Sequence, residues 1–146
     1  EIDKTEGSKP IAVIFNLGVN DLGNAGNYVS YMTSIASTLK SKNCKLFYMS
    51  VNPINSTMIT KAGRGARTEA QVREFNSKIR SGLSLDYKYI DMYSVLMKKG
   101  YGTNASYNGT DADSDDGLHY TTKTFKRIYY YCITYLNTGS INASYY

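Results

Sequence analysis

The chain has 146 residues, an ordinary apolar content and a net charge of +5. That is enough for one domain and too little for two of usual size, and it excludes disorder as a whole-chain description. The basic residues are scattered, and the densest stretch, 61–67 (KAGRGAR), has no interleaved aromatics and no Gly-Lys-Ser/Thr, which argues against nucleic acid and against a P-loop. Residues 11–15 (IAVIF), β-branched and stopped by Asn16 and Gly18, predict a fully buried strand. Tyr28, Tyr31, Met32, Ile35, Ala36 and Leu39 recur at helical spacing, with Asn24 or Asn27 as cap. Residues 45–51 (KLFYMSV) predict a second strand, ended by Asn52-Pro53. A polar, glycine-containing loop then runs through Arg67. Val72, Phe75, Ile79 and Leu83 mark a second helix, and residues 87–92 (YKYIDM) a third strand. A short helix over 93–99 leads into a long polar loop over 100–117. The last helix carries Phe125, Ile128, Tyr129, Cys132, Ile133 and Leu136 on one side, with Thr121 or Thr122 as cap. Tyrosines at helical spacing, such as Tyr28, Tyr31 and Tyr129, are expected to pack in or against the core.

Strand and helix alternate throughout, which implies an α/β layered fold with a parallel sheet. In such sheets ligands bind beyond the carboxyl ends of the strands. The residues there are Gly18-Val19-Asn20-Asp21, Asn52-Pro53 and Asp91, with Asp116 and His119 just before the last helix. His119 is the single histidine. A carboxylate three residues before it can accept from Nδ1–H, fix the tautomer and leave Nε2 as a base. The same spacing fits a capping aspartate beside an exposed histidine. Asn20 can donate a side-chain N–H to a developing oxyanion, and it also suits an ordinary turn after a strand. Gly18 permits a sharp turn, and Asp21 suits a loop brace or helix cap. Tyr120, beside the histidine, is a candidate substrate contact.

Other site chemistries fit less well. Two cysteines without a CxxC pair, together with one histidine, assemble no zinc set, and Cys132 reads as a buried thiol. Asp111, Asp113 and Asp115 resemble the start of a calcium loop, which fails at Asp116 and Thr122, where glycine and glutamate are needed. No apolar run approaches the length of a membrane span.

The stretch KPIAVIFNLGVNDLGN resembles block III of the SGNH, or GDSL-type, hydrolases: a lysine-proline pair, a buried strand, then G-x-N-D. DDGLHYT resembles their block V, D-x-x-H, placed before the final helix. LFYMSVNPIN, REFNSKIR and KYIDMYSVL are similar to bacterial members in order and spacing, so the resemblance extends from about Lys9 to Leu136. It implies a three-layer α/β/α, flavodoxin-like domain over residues 1–146. His119 would be general base and acid, Asp116 its orienting partner and Asn20 an oxyanion-hole donor, with Gly18 and Asp21 in the supporting loop. It further implies a serine esterase that works through an acyl-enzyme and needs no metal or organic cofactor. The substrate class would be a short acyl ester, acetyl above all, of a carbohydrate or cell-wall polymer, at a bacterial surface or outside the cell. An O-acyltransferase would use the same residues, and a non-catalytic carbohydrate-binding or interaction module could keep the scaffold.

The chain departs from that family at its start. The Gly-Asp-Ser block I, with the nucleophile, and the glycine of block II should both precede residues 11–15, and neither is present. Ser8 would sit at the wrong end of that strand, and Ser50 reads as strand exit. The chain begins with Glu and shows no signal peptide, so it reads as the C-terminal two-thirds of a domain, processed or partial. The expected partner is the missing N-terminal segment, cleaved from the same polypeptide or supplied as a separate chain. Without it, the strand at residues 11–15 would present an unpaired edge.

Overall fold

A computed structural model describes residues 10–101 and 116–141. Three strands, β1 (Ile11–Phe15), β2 (Cys44–Met49) and β3 (Tyr87–Ile90), pair in parallel in that order. The register sets Ile11 opposite Cys44 and Phe15 opposite Tyr48, then Leu46 opposite Tyr87 and Met49 opposite Ile90. Parallel neighbours need long crossovers. α1 (Ala25–Leu39) with a 3₁₀ turn (Lys40–Lys42) supplies the first, and α2 (Ser56–Lys61) with α3 (Glu69–Gly82) the second. α4 (Met92–Lys98) follows β3, and α5 (Thr122–Thr138) is the last helix.

Successive strand residues point to opposite faces, and both faces of this sheet are covered. Val13, Phe15, Leu46, Tyr48 and Tyr87 meet Met32 and Ala36 of α1 and Val72, Phe75 and Ile79 of α3. Ile14, Phe47, Met49 and Ile90 meet Met92 and Leu96 of α4 and Ile128, Tyr131 and Cys132 of α5. The molecule is therefore α/β, with helices packed on each side of a parallel sheet. Cys132 is buried, and burial pushes its thiol up to about 11.

Of the caps expected from the sequence, Thr121 acts and Asn24 does not. Thr68 caps α3 in a full capping box with Gln71, and Thr121 caps α5 by accepting from the Thr124 N–H. Asn24 precedes α1 without a side-chain cap bond. Three expectations need correction. β1 is not fully buried: Ile11 and Ala12 are exposed and Val13 to Phe15 half-buried, because β2 pairs only one of its edges. Tyr31 and Tyr129 are 65% and 62% exposed. Each lies outside the narrow stripe its helix turns inward, Ala25, Met32 and Ala36 on α1 and Thr124, Ile128, Tyr131 and Cys132 on α5. The expected loop through Arg67 also contains α2.

Candidate active site

The carboxyl ends of β1 and β2 and the segment before α5 converge on one cleft of about 180 Å³. Its walls include Asn16, Leu17, Val19, Asn20, Asn52, Pro53, Leu118, His119, Tyr120 and Phe125. Asn16 joins the two strand ends, its Nδ2 donating to the Ser50 carbonyl at 2.8 Å.

Asp116 and His119 form a pair, with Nδ1 and Oδ2 2.6 Å apart. A carboxylate only accepts, so in the neutral ring Nδ1 carries the proton and Nε2 has a free lone pair. The Asp116 side chain is 12% exposed and that of His119 67% exposed. Asp116 is fixed independently of the histidine, because its Oδ1 accepts the backbone N–H groups of Leu118 and His119, each at 2.9 Å. Gly117 makes this turn possible. Its φ is +73°, and its carbonyl accepts the Asn55 N–H that begins α2.

Asn20 faces the same cleft from the loop after β1. Gly18 brings the chain there with a φ of +115°, and a Cβ on it would lie 2.2 Å from the Phe75 ring. Asp21 accepts from the Tyr28 hydroxyl at 2.9 Å, which ties the loop to α1. Among the described residues the Asn20 side chain makes one bond: its Oδ1 accepts from Nη2 of Arg67 at 3.0 Å. Its Nδ2 has no partner among the described residues.

Tyr120 lines the cleft, but its hydroxyl donates to the Pro53 carbonyl, and it packs against Tyr101 and Phe125. It is a wall of the site. Phe125 was expected on the apolar side of α5; it is half-exposed and lines the cleft. Ser50 is buried, and its Oγ accepts the Tyr93 N–H at 2.8 Å, behind the cleft wall. Among the described residues no serine, threonine or cysteine lines the cleft. Ser8, Asp111, Asp113 and Asp115 lie outside the described residues. Among the described residues no three His, Cys, Asp or Glu side chains are grouped to hold a metal ion, and no helix is long and apolar enough to cross a membrane.

Sequence reasoning missed Arg64 and Arg67. Arg64 Nε lies 3.5 Å from Asp116 Oδ2, and Arg67 holds Asn20 and the Val19 carbonyl. Both come from the basic stretch before α3, whose partners are far along the chain, so no local pattern marks them. No protein-family model, curated protein or solved structure matches this chain.

Proposed function

We propose that the cleft is the base-and-oxyanion half of a serine esterase of the SGNH type, acting on short acyl esters of a carbohydrate. The observation that carries this reading is the 2.6 Å Asp116–His119 pair on the same cleft as an Asn20 amide whose N–H₂ has no partner among the described residues. A serine Oγ–H would give its proton to His119 Nε2 as Oγ bonds to the acyl carbon. The oxyanion that forms would accept from Asn20 Nδ2–H. His119 would return the proton to the leaving alkoxide, and water would repeat the sequence to release the acid. Asp116 would hold the ring and stabilise the imidazolium. In an acyltransferase a sugar hydroxyl would replace the water.

The serine would come from a segment that pairs with the edge of β1 to which no described strand is paired, which would complete the domain beside Asn20. A strand followed by Gly-Asp-Ser about 50–80 residues before Glu1, two βα units of ordinary length, is the expected form. The lack of a nucleophile in the described cleft favours a second reading, a carbohydrate-binding module on the same scaffold. Hydrolysis of p-nitrophenyl acetate by the complete protein separates the two. His119→Ala is expected to lower turnover by roughly 10²–10⁴ with the circular dichroism unchanged. Wild-type turnover in that variant sinks the assignment of the base, and glycan binding without any hydrolysis by the wild type favours the module.

A further inference from the structure

We propose that Arg67 is the positioning residue for the oxyanion donor, holding the Asn20 amide so that its N–H₂ points into the cleft. The proposal rests on the reading of Asn20 given above. An asparagine side chain can turn over about its last torsion, and only one of the two orientations offers a donor to the substrate. A guanidinium has donors and no acceptor, so whatever amide atom meets Arg67 Nη2 must be the oxygen. The 3.0 Å contact to Asn20 Oδ1 therefore fixes the orientation by chemistry.

Arg67 is itself held. Its Nε donates to the Val19 carbonyl at 3.0 Å, the residue just before Asn20. Its Nη1 donates to the Arg64 carbonyl at 2.5 Å and reaches the Gly65 carbonyl at 3.4 Å. The guanidinium thus grips both the main chain and the side chain of the oxyanion loop, and the planar fork matches such paired acceptors. It has no carboxylate partner among the described residues. Its charge falls on the amide oxygen instead, which polarises the amide and strengthens Nδ2–H as a donor. Arg67 does not contact the reacting atoms; its effect passes through Asn20.

A double-mutant cycle on the complete protein tests this, with kcat and KM for p-nitrophenyl acetate as the readout. Asn20→Ala is expected to lower kcat by roughly 10²–10³. Arg67→Ala is expected to lower kcat by roughly ten-fold or more with KM nearly unchanged, since the loss falls on the transition state. In the Asn20→Ala background Arg67→Ala is expected to cost nothing further, because the two act as one unit. Arg67→Lys keeps the charge and a donor to Oδ1, and is expected to retain more activity than Arg67→Ala. It also keeps the test open if the alanine variant unfolds. Multiplicative losses, or an Arg67→Ala enzyme with wild-type kcat, overturn the positioning role while leaving Asn20 in place. An Asn20→Ala enzyme with wild-type kcat overturns both readings, as does a complete wild-type protein with no hydrolysis.

Discussion

Two glycines set the geometry of the cleft, and each is constrained twice. At Gly18 the left-handed φ and the Phe75 ring exclude a side chain; at Gly117 the obstacles are backbone. A Cβ on Gly117 would lie 2.5 Å from the Asn55 carbonyl oxygen and 2.9 Å from the Ile59 nitrogen. Neither atom can rotate away as a flexible side chain could. Gly117→Ala is therefore expected to destabilise by about 3 kcal/mol, the sum of φ strain and a forced shift of α2. Urea unfolding measures it, and a change within 0.5 kcal/mol, the ordinary scatter of surface variants, would contradict the argument. The Asp116–His119 pair was legible in the sequence because it is local: three residues along a tight turn bring the side chains together whatever surrounds them. Asn20 was legible as a strand-exit residue. Its partner Arg67 was not, because 47 residues separate them and an arginine in a glycine-rich loop has no periodic signature.

At the scale of elements, the strands and long helices were readable because each carries its own signal. β2 is apolar and buried from Leu46 to Met49 because both of its faces are covered there, and α3 alternates a buried stripe with charge. α2 spans six residues, fewer than two turns, so no period can be recognised in it. It stands on contacts instead: the Asn55 side chain accepts the Met58 N–H, and the Gly117 carbonyl accepts the Asn55 N–H. The start of α3 matters most to the cleft, since its cap residue directly follows Arg67. Thr68 Oγ1 accepts the Gln71 N–H, and Gln71 Oε1 accepts the Thr68 N–H. Glu69 in the next position accepts from the Ile54 N–H and the Tyr93 hydroxyl, tying the helix start to the cleft floor and to α4. Burial and that carboxylate hold the Tyr93 hydroxyl up at about 12, so it remains a donor at neutral pH. Thr68→Ala removes one arm of the box and is expected to cost about 1 kcal/mol in thermal or urea unfolding. A loss below 0.3 kcal/mol, the scale of a neutral cap exchange, would show that Glu69 alone fixes the turn.

For the molecule as a whole, the two ends of the sheet are unequal. At the β3 end the exposed strand residue is Lys88, a charge of the kind that discourages edge pairing. β1 carries none: its five residues are all apolar, and Ile11 is 38% exposed. On the same side, half-exposed Leu17 and exposed Tyr31 border a shallow hollow with Asp21, Asn24, Asn27, Tyr28 and Met32. An uncharged strand edge beside an apolar hollow is a template for another strand, and here it adjoins the loop that carries Asn20. Among the described residues only β2 pairs with β1, and if the other edge is meant for a further segment, the 146-residue chain alone will find a substitute. It is expected to self-associate in sedimentation velocity as concentration rises. Ala12→Lys puts a charge on the exposed part of β1, away from both cores, and is expected to shift the chain toward monomer without lowering its unfolding midpoint. A protein in which such a segment covers the β1 edge should be indifferent to concentration. A 146-residue chain that stays monomeric and unfolds cooperatively would count against a further segment pairing with β1.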